Sequence, residues 1–541
     1  MEATMMDVQL NTGAILAHGE RIHARSQIGL FDGENVEWRS YAETARRARK
    51  LAAALKASGV SANTRVATLS WNDFAHFEAY LAVPSMGAVL HTLNLRLHAE
   101  QLAFILADAE DAVLIADGTL LSQIVEVVNG LEHLKQIIVT GSSDGLCELT
   151  KPWSNYEDFI AGQEPIFEFP TQREDAAAAC CYTSGTTGNP KGVVYSHRTI
   201  YLHSLASMAS NAFSLSDRDR IMLLPPMFHA NAWGLPFSGW LAGSDFVLPG
   251  PHLQAPAIQR MIAATEPTFT ATVPTILNEL LRADAHSPIN MSSFRTIVCG
   301  GSSVAEHLIV EVEERWGVPL IQGWGMTETS PLCVLSHPPS DTAGAEAHQL
   351  QAKSGRPVAG VQVRIVDQEG DRLLEDGVAV GRLQLRGPWI ARGYYGVGDV
   401  LTDDGWLDTG DAGTIDERGY VQVTDRLKDL IKSGGEWIPS AELENHIANL
   451  PGIDDAAVVA VPDKRWDERP LAIVTSQADT EPDWAHLRGQ LAARVARFWV
   501  PEYWALVTKL PLTGVGKVDK LALREQVASG TIQYHRVDIF S

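Results

Sequence analysis

The stretch from Tyr182 to Gly192 reads YTSGTTGNPKG and combines three glycines, three threonines, one serine and one lysine. Few of these side chains can pack a hydrophobic core. Glycines beside hydroxyl residues allow backbone N–H groups to converge on phosphate oxygens, and Lys191 would add a mobile positive charge. We therefore interpret the stretch as a phosphate-binding loop, with a strand before it and a helix after it.

A Walker A loop is the main alternative for a lysine in a glycine-rich loop, and it requires the pattern GxxxxGK[ST]. Here Gly188 is followed by Asn189 and Pro190 before Lys191, and Gly192 stands where a hydroxyl residue would hold magnesium. The loop is therefore expected to bind phosphate in another way. A flexible surface loop without a ligand is the other interpretation, because loops of glycine and serine are common.

Four later segments contain residues that suit a nucleotide substrate. GWGMTETSP offers an aromatic side chain that can stack on a purine and a glutamate that can hold a metal ion. DTGD supplies a carboxylate suited to two ribose hydroxyls, DRLKDLIKSGGEW combines charge with glycine, and PLTGVGKVDK carries a lysine near the end of the chain. Each segment alone is typical of ordinary structure, but all four in this order after the glycine-rich loop are not expected by chance.

Length, charge and cysteine usage exclude several classes of protein. A chain of 541 residues is too long for one ordinary domain. Its net charge of −23 argues against a nucleic-acid or anionic-membrane surface, since both require basic patches. The five cysteines are scattered without a CxxC pair, no apolar run approaches the roughly 18 residues of a membrane span, and the first residues lack an apolar signal core. We expect a cytoplasmic protein without a transmembrane segment.

The elements that must position these segments alternate between helix and strand. Ser40 and Glu43 predict the start of a helix that Gly59 ends, and the strand RVATLSW, the helix DFAHFEAYLAVPSMG and the strand AVLHTL follow. Such alternation predicts parallel sheets covered by helices. After the glycine-rich loop, Ser196 is expected to cap a helix that extends to Phe213.

The pattern of predicted secondary structure changes twice toward the C-terminus. From about Val361 it consists of short strands separated by turns, which predicts a small β-rich subdomain at about 355–425. Roughly the last hundred residues form a compact α+β pattern that ends with a helix from Lys517. The segment from Asp425 to Trp437 interrupts the two patterns with charge and glycine, so the domain boundary is predicted there.

Together these motifs resemble the adenylate-forming superfamily, which contains acyl-CoA synthetases, firefly luciferase and the adenylation domains of peptide synthetases. PMFHANAWG and DRLKDLIKSGGEWIPSAELEN are most similar to bacterial medium- and long-chain fatty-acid CoA ligases and to methylmercaptopropionate ligases. The resemblance extends over nearly the whole chain. It implies an α/β fold with a large N-terminal adenylation domain, residues 1–427, and a small mobile α+β C-terminal domain, residues 428–541.

The resemblance implies a first half-reaction in which a carboxylate attacks ATP and forms acyl-AMP and pyrophosphate. Lys517 matches the lysine that bridges the carboxylate and the α-phosphate, while Thr183 and Glu328 match the positions that hold Mg²⁺. Trp324 is expected to cover the adenine, with Gly301, Ser302 and Gln322 along its edge. Thr327 is expected to reach the α-phosphate, and Asp411 and Arg426 are expected to bind the ribose. The full set of expected ATP and AMP contacts is Thr183, Ser184, Gly185, Thr186, Thr187, Lys191, Gly301, Ser302, Gln322, Gly323, Trp324, Thr327, Asp411 and Arg426.

A second half-reaction is implied, in which the thiol of CoA displaces AMP. Lys517 must then leave the site, so the C-terminal domain is expected to swing about a hinge at Lys428. Lys432 is expected to act in this thioester-forming step. The expected CoA contacts are Lys432, Gly434, Gly435, Glu436, Trp437 and Glu468.

The acyl pocket is expected at the segment FHANAW. Amino-acid-activating relatives carry an aspartate after the phenylalanine, whereas this chain has His229, so a free amino acid is a poor candidate substrate. Trp233 matches the aromatic gate of long-chain synthetases, and an apolar pocket is expected. His229 is counted with Lys517, Lys432 and Glu328 among the expected catalytic residues.

Three functions stay open from the sequence. The first is a carboxylate–CoA ligase that acts on medium- to long-chain fatty acids, or on a short specialised acid such as methylmercaptopropionate or a branched or cyclic acid. The second passes the acyl group to a carrier-protein thiol. The third is a nonenzymatic nucleotide-binding protein, which the presence of Lys517, Glu328 and Asp411 disfavours. A homodimer is a possible assembly, and no nucleic-acid partner is expected.

Overall fold

The computed structural model describes residues 1, 3–183, 189–433, 436–463, 465–476, 482–512 and 518–537. The chain forms two compact units, of which the first contains residues 1–362 and 386–401 and the second contains residues 363–385 and 402–541. The β-rich region expected at about 355–425 therefore belongs largely to the second unit, together with the C-terminal region. The boundary between residues 427 and 428 was predicted as the point about which the C-terminal domain moves. It stays a prediction.

The strands of the described residues are short and are distributed along the whole chain. In chain order they are β1 Gln27–Phe31, β2 Val36–Ser40, β3 Arg65–Leu69, β4 Val89–Thr92, β5 Val113–Asp117, β6 Gln136–Thr140, β7 Trp153–Asn155, β8 Ala177–Tyr182, β9 Gly192–Ser196, β10 Arg220–Met222, β11 Asp245–Leu248, β12 Phe269–Thr272, β13 Thr296–Cys299, β14 Leu320–Gly325, β15 Leu332–Leu335, β16 Arg356–Pro357, β17 Gln362–Val366, β18 Gly381–Arg386, β19 Gly393–Tyr394, β20 Gly398–Asp399, β21 Leu407–Ile415, β22 Val421–Arg426, β23 Ile431–Ser433, β24 Glu436–Ile438, β25 Asp455–Asp463, β26 Asp467–Thr475, β27 Tyr503–Leu506 and β28 His535–Arg536.

The helices alternate with these strands over most of the chain. In chain order they are α1 Thr12–Ile22, α2 Tyr41–Ala57, α3 Phe74–Ser85, α4 Ala99–Asp108, α5 Gly118–Leu121, α6 Val125–Gly130, α7 Tyr156–Ala161, α8 His197–Met208, α9 Ala230–Trp233, α10 Leu235–Ala242, α11 Ala255–Thr265, α12 Pro274–His286, α13 Glu306–Trp316, α14 Ala345–Gln351, α15 Ser440–Ala448, α16 Trp484–Ala492 and α17 Lys520–Ala528. Within the described ranges, none of them is long and apolar enough to cross a membrane.

Two sheets of mainly parallel strands form the first unit. One has seven strands in the order β7-β6-β5-β3-β4-β8-β9, and the other has nine in the order β16-β15-β14-β13-β12-β10-β11-β1-β2. Neighbouring strands are parallel except for β8–β9 in the first sheet and β1–β2, β14–β15 and β15–β16 in the second. The expected parallel sheets covered by helices are confirmed.

The core of the seven-stranded sheet shows why its strands β5 and β6 are largely apolar. Leu114 of β5 and Ile137 of β6 are fully buried and cluster with Leu102 and Leu106 of α4. A parallel strand covered on both faces needs apolar side chains at successive positions rather than at every second one. Successive apolar residues in a strand of this sheet therefore indicate that helices cover the strand on both faces.

Hydroxyl side chains define the first residues of two predicted helices. Helix α2 begins at Tyr41, as expected, because Ser40 Oγ accepts a hydrogen bond from the Glu43 N–H at 3.2 Å. Helix α8 begins after Ser196, whose Oγ accepts a hydrogen bond from the Thr199 N–H at 3.1 Å. Both caps were predicted from the sequence, and both are confirmed.

Two predicted helix boundaries are wrong. Helix α8 ends before the expected Phe213, because the backbone is already extended at Ala209. Helix α17 begins later than the expected Lys517, because Asp519 is its N-cap and accepts a hydrogen bond from the Ala522 N–H at 3.0 Å.

Antiparallel pairing dominates the second unit. One sheet has four strands in the order β17-β18-β21-β22, and another has six, in the order β24-β23-β26-β27-β28 with β25 paired to β26. All pairs in the second sheet are antiparallel except β26–β27. Trp504 of β27 clusters with Leu443 of α15 and Trp484 of α16 on one face, while Leu523 of α17 packs against Val459 of β25 on the other. The expected β-rich and α+β parts are both present.

Candidate active site

The glycine-rich stretch connects two antiparallel strands of the seven-stranded sheet. Tyr182 of β8 lies opposite Gly192 of β9. The Thr183 N–H donates to the Lys191 carbonyl at 2.9 Å, and the Lys191 N–H donates to Thr183 Oγ1 at 3.1 Å. These two bonds hold the ends of the loop together. The helix expected after the loop is α8, and the short strand Gly192–Ser196, which pairs with β8, lies between the loop and that helix.

Lys191 is exposed at the end of this loop and lies over an aromatic ring. Its Nζ is 5.1 Å from the centroid of the Tyr394 ring, a distance at which the face of the ring attracts a cation. Tyr394 belongs to β19, and the N–H of the next residue, Tyr395, donates to the Gly192 carbonyl at 2.8 Å. Strand β19 therefore lies beside the base of the glycine-rich loop.

Glu328 carries a carboxylate but is almost fully buried, with 6% of its surface exposed. It lies in a short 3-10 turn, Thr327–Thr329, just after β14. The Tyr394 hydroxyl donates to Glu328 Oε1 at 2.6 Å, and the Ala391 N–H donates to the Glu328 carbonyl at 2.8 Å. A buried carboxylate needs such donors. Tyr394 thereby orients the side chain that the sequence predicts as a Mg²⁺ ligand.

Strand β9 is also bonded to the turn that contains Glu328. The hydroxyl of Tyr195, which belongs to β9, donates to the Thr327 carbonyl at 2.7 Å. Burial raises the pKa of Tyr195, and the nearby Cys181 and Glu328 raise it further, so its hydroxyl keeps the proton that it donates. The expected contact of Thr327 with the α-phosphate stays a prediction.

The residues expected around the adenine lie after β13 and along β14, which are parallel neighbours. Gly301 has a φ of +82°, a conformation that favours glycine, and Ser302 is exposed. Gln322 is buried, with Oε1 accepting from the Val304 N–H at 2.6 Å and Nε2 donating to the Ala352 carbonyl at 3.3 Å. The Gln322 amide therefore orders the loop after β13, and its contact with adenine stays a prediction.

Gly323 and Trp324 continue β14 and are half-buried. Trp324 lies opposite Val334 in the antiparallel pair with β15. A Cβ added at Gly300 would lie 2.7 Å from the Gly323 carbonyl, so a larger residue at position 300 would force the two strand ends apart. Partial exposure of the Trp324 indole is what stacking on a purine requires.

His229 and Trp233 lie at the two ends of a left-handed turn. Ala230, Asn231, Ala232 and Trp233 have φ values of 42°, 53°, 49° and 58°. This backbone costs about 1–2 kcal/mol per residue for L-amino acids, so the surrounding contacts must hold it. The three residues between His229 and Trp233 are buried, whereas these two are half-buried. The turn thus presents an imidazole and an indole from one short segment.

Asn231 holds the left-handed turn from inside the first unit. Its Oδ1 accepts hydrogen bonds from the Tyr80 hydroxyl and from the Cys181 thiol, both at 3.3 Å. The tip of the Trp233 ring lies 3.3 Å from the place where a Cβ of Gly300 would stand. Trp233 is therefore next to the strand end that precedes the expected adenine contacts.

The two residues expected to bind the ribose form an ion pair in the second unit. Asp411 of β21 lies opposite Arg426 of β22, and Arg426 Nε is 2.7 Å from Asp411 Oδ1. The Asp411 side chain is 2% exposed and that of Arg426 is 45% exposed. Arg426 thus compensates a buried carboxylate while part of its guanidinium faces solvent.

Two of the expected CoA contacts are joined by a hydrogen bond. The N–H of Lys432, in β23, donates to Glu468 Oε2 at 2.9 Å, and the Lys432 side chain is exposed. Strand β23 pairs with β24, where Trp437 lies opposite Lys432 and Glu436 lies opposite Ser433. The hairpin and Glu468 of β26 therefore form one continuous piece of the six-stranded sheet.

The turn that contains Lys428 lies next to a buried polar cluster. Asp425 Oδ2 accepts hydrogen bonds from the Ser440 N–H and, at 2.5 Å, from the Ser440 hydroxyl. Lys520 Nζ donates to Ser440 Oγ at 2.5 Å and is 2.8 Å from Glu444 Oε1. Burial raises the pKa of Glu444 to about 7, against the effect of the Lys520 ammonium. The cluster connects the stretch before Lys428 with the helices after it.

Several predicted site residues lie outside the described residues, and their roles stay predictions. They are Ser184, Gly185, Thr186, Thr187, Gly434, Gly435 and Lys517. For Glu436 and Trp437 the description covers the backbone but not the side chains.

The chain matches family models over most of its length. The model of the AMP-binding enzyme family matches residues 19–395, and the model of the AMP-binding enzyme C-terminal domain matches residues 442–517. The chain is an AMP-binding enzyme. The resemblance to adenylate-forming proteins that its motifs indicated is thereby confirmed.

Individual relatives of this AMP-binding enzyme match it from end to end. It is 41% identical over 537 residues to a long-chain-fatty-acid–CoA ligase of Thermus thermophilus, with 97% of each chain covered. It is 39% identical over 532 residues to a 3-methylmercaptopropionyl-CoA ligase of Ruegeria pomeroyi, covering 97% of this chain and 99% of that one. Among solved structures, an anthranilate CoA ligase in complex with anthranoyl-AMP superposes with a TM-score of 0.87 at 25% identity, covering 98% of this chain and 100% of that one.

The two residues expected to hold Mg²⁺, Thr183 and Glu328, carry oxygen donors, which suit magnesium better than a softer metal. Among the residues that the structure describes, no group of three His, Cys, Asp or Glu side chains could hold a metal ion. Mg²⁺ is usually bound through one or two carboxylates together with water and substrate phosphates. The Glu328 carboxylate and the Thr183 hydroxyl are oxygen donors of this kind.

Tyr394 contacts both Lys191 and Glu328 but is not among the site residues expected from the sequence. Two adjacent tyrosines in the polar stretch ARGYYGVGD were the local signal. Nothing in the sequence shows that residue 394 lies beside residues 191 and 328. The cluster around Ser440 was missed for the same reason.

Proposed function

We propose that this AMP-binding enzyme converts a medium- to long-chain fatty acid into its CoA thioester. The enzyme is an ATP-dependent carboxylate–CoA ligase that works through an acyl-adenylate. In the first half-reaction, a carboxylate oxygen of the substrate attacks the α-phosphorus of ATP, and the bond to pyrophosphate breaks. In the second, the CoA thiol loses its proton, its sulfur attacks the acyl carbonyl carbon, and the bond to AMP breaks.

The observation that carries the adenylation chemistry is the buried Glu328 carboxylate, oriented by Tyr394 beside Lys191. The substrate supplies its own nucleophile, so the protein must position charged groups rather than provide a nucleophilic side chain. Glu328 and Thr183 would hold Mg²⁺, which screens the phosphate charge when it is bound. Lys517 would bridge the substrate carboxylate and the α-phosphate.

We propose that the enzyme binds the nucleoside through contacts with both its base and its sugar. Trp324 offers a partly exposed indole for the adenine. Asp411, whose orientation is fixed by Arg426, would accept hydrogen bonds from the ribose hydroxyls. Because this carboxylate is buried and paired, it is ready to accept those bonds without reorganisation.

The second half-reaction requires Lys517 to make way for CoA. We assign this to a swing of residues 428–541 about Lys428, which brings the β23–β24 hairpin to the thioester-forming site. The bond between Glu468 and the Lys432 N–H would keep this hairpin in shape while the exposed Lys432 ammonium meets an anionic group of CoA. Gly434 and Gly435 would allow the pantetheine chain to approach the backbone.

The acyl preference is supported by the residues of the left-handed turn and by one relative. His229 and Trp233 supply an imidazole and an indole and no carboxylate, so the turn offers no partner for a substrate ammonium group. An apolar pocket gains about 0.8 kcal/mol for each buried CH₂ until it is full. The 41% identical protein of Thermus thermophilus is named a long-chain-fatty-acid–CoA ligase.

The test is the release of pyrophosphate and the formation of acyl-CoA across a panel of acids, with and without CoA. We expect kcat/KM to rise with chain length from acetate upward and then to level off where the pocket is full. If acetate or an aromatic acid is the best substrate, the fatty-acid assignment is wrong and the ligase class stands. If CoA does not produce a thioester, the acceptor is another thiol, such as that of a carrier protein.

Methylmercaptopropionate is the second candidate substrate. The relative of Ruegeria pomeroyi that is 39% identical is named a 3-methylmercaptopropionyl-CoA ligase. A short thioether acid would fill a shallower pocket than a long acyl chain. It belongs in the same panel, and a kcat/KM above that of every straight-chain acid would decide for it.

A further inference from the structure

Tyr394 contacts the two charged groups of the first unit that are expected to meet the phosphates of ATP. Its hydroxyl donates to Glu328 Oε1 at 2.6 Å, and its ring lies 5.1 Å from Lys191 Nζ. We propose that Tyr394 is the residue that positions Glu328 and Lys191 relative to each other for the binding of ATP with its divalent cation. This inference rests on the proposed function, because it concerns the phosphate side of that site.

The hydroxyl of Tyr394 controls the orientation of the carboxylate. Glu328 is 6% exposed, so solvent cannot replace a missing donor fully. With one oxygen held by the Tyr394 hydroxyl, the carboxylate is fixed about its last torsion and presents a defined edge to a cation. Hydrogen bonds of this kind to metal-binding carboxylates typically change metal affinity by roughly 10- to 100-fold.

The ring of Tyr394 controls the position of the lysine. Lys191 is exposed and has a long side chain, so without a partner it would sample many rotamers. The electron-rich face of the ring attracts the ammonium group to one side of the hairpin base. The ring thereby restricts the region from which the ammonium can meet a phosphate oxygen.

The backbone around Tyr394 is hydrogen-bonded both to the turn that contains Glu328 and to the base of the glycine-rich loop, and these bonds fix its position. On one side, the Ala391 N–H donates to the Glu328 carbonyl at 2.8 Å. On the other, the Tyr395 N–H donates to the Gly192 carbonyl at 2.8 Å. The tyrosine therefore stands on a short strand that is fixed to the glutamate turn and to the phosphate loop at once.

Two substitutions separate the two contacts of Tyr394. Tyr394→Phe removes the hydroxyl and keeps the ring, so it tests the bond to Glu328 alone. Tyr394→Leu removes the ring as well and so also releases Lys191. Tyr395→Phe is the matched control, because it removes a hydroxyl from the neighbouring, 39% exposed tyrosine and keeps its backbone bond to Gly192.

The measurement is calorimetric binding of ATP at several Mg²⁺ concentrations and of AMP without metal, on the full chain. We expect Tyr394→Phe to weaken ATP binding in the presence of Mg²⁺ by roughly tenfold and to leave AMP binding unchanged, because AMP lacks the β- and γ-phosphates whose charge the cation would screen. Tyr394→Leu should weaken ATP binding further. Tyr395→Phe should behave like the wild type.

A double substitution decides whether Tyr394 acts through Glu328. Glu328→Gln should abolish most of the effect of Tyr394→Phe, so that the double variant binds ATP with Mg²⁺ no more weakly than Glu328→Gln alone. Full additivity of the two losses would overturn the inference. So would wild-type ATP affinity in Tyr394→Phe, or an equal loss of ATP and AMP together with a lower melting temperature, which would show a merely structural role.

The outcomes also separate this inference from the proposed function. If the wild type binds ATP and AMP and Tyr394→Phe binds both as tightly, the positioning role is wrong and the ligase assignment stands. If the wild type binds neither nucleotide, both fail together. The panel of acids with CoA does not depend on any Tyr394 variant, so it tests the ligase assignment alone.

Discussion

Two buried carboxylates of this enzyme have different partners, and the difference predicts different tasks. Glu328 accepts a hydrogen bond from the neutral Tyr394 hydroxyl, whereas Asp411 is paired with the cationic Arg426. A carboxylate with a neutral partner keeps its charge available for a cation. A carboxylate paired with arginine is compensated and serves better as a hydrogen-bond acceptor for hydroxyl groups.

At the residue scale, we therefore expect separable losses in two isosteric variants. Glu328→Gln should weaken binding of ATP with Mg²⁺ by roughly tenfold or more and leave AMP binding nearly intact. Asp411→Asn should weaken ATP and AMP alike, by roughly tenfold, because a charged acceptor of the ribose hydroxyls is lost. Calorimetry with both nucleotides checks both variants. Equal loss of ATP and AMP in Glu328→Gln would show that Glu328 is structural.

At the scale of elements, the left-handed turn α9 is held by tertiary contacts against the local preference of its residues. None of Ala230, Asn231, Ala232 and Trp233 is glycine, and asparagine alone among them favours this region. Asn231 is also the residue that accepts the two inward hydrogen bonds. The position of Trp233 therefore depends on Asn231, whose side chain is buried inside the first unit.

This dependence gives a prediction about acyl chain length. Trp233→Ala should change the chain-length profile of kcat/KM, measured from acetate upward, more than it changes the KM for ATP. Asn231→Ala should shift the profile in the same direction, because the turn loses the contacts that hold it. Trp153→Ala, which removes a 43% exposed tryptophan from β7, is the control. An unchanged profile in both turn variants would exclude the turn from the acyl pocket.

Helix α8 gives a second prediction at this scale, for the dependence of stability on pH. His203 is buried, and its Nε2 accepts a hydrogen bond from the Leu332 N–H at 3.2 Å, which only the neutral ring can do. Burial lowers the pKa of His203 to about 3, whereas an unfolded histidine has a pKa near 6.5. The unfolded chain therefore binds more protons between these values, and stability is lost as the pH falls from about 6.5 toward about 3.

His203 is expected to contribute to this loss throughout that window, because the folded chain holds its ring neutral. Asp73 acts in the opposite sense, because burial raises its pKa to about 6 and protonation at lower pH relieves the cost of its charge. His203→Gln should make the fall of the thermal unfolding midpoint with decreasing pH less steep. His133→Gln, at an exposed position, should leave the slope as in the wild type. An unchanged slope in His203→Gln would contradict the assignment.

At the scale of the whole molecule, the proposed reaction needs one chain to complete two chemical steps in turn. Lys517 would act in the first and Lys432 in the second. The cluster of Asp425, Ser440 and Lys520 crosses the proposed hinge at Lys428 within the second unit. Rotation about that hinge would have to break these bonds, so they would contribute to the energy difference between the two proposed conformations.

The whole-molecule prediction is that the two half-reactions fail separately. Lys517→Ala should lose formation of acyl-AMP but still convert supplied acyl-AMP with CoA. Lys432→Ala should form acyl-AMP and transfer it poorly. Pyrophosphate release and thioester formation are measured separately for each variant, with the exposed Lys56→Ala as the control. Equal loss of both steps in both variants would rule out the swing.

Much of the fold and the family was determined by the sequence alone, because those signals are local. The cap of α2 depends on Ser40 and the third residue after it, and the alternation of helix and strand is visible within short windows. The order of the glycine-rich loop, GWGMTETSP, DTGD and PLTGVGKVDK indicated the AMP-binding enzymes, and the family model confirmed it.

The tertiary structure alone decided which side chains hold the predicted metal-binding and substrate-binding residues in place. Tyr394 and Glu328 are 66 residues apart in the chain, and their contact depends on where β19 lies beside β9 and the glutamate turn. The left-handed turn at Ala230–Trp233 opposes the preference of its own residues, so no local pattern predicts it. Contacts of this kind arise from the packing of distant segments, and packing becomes visible only when those segments are folded together.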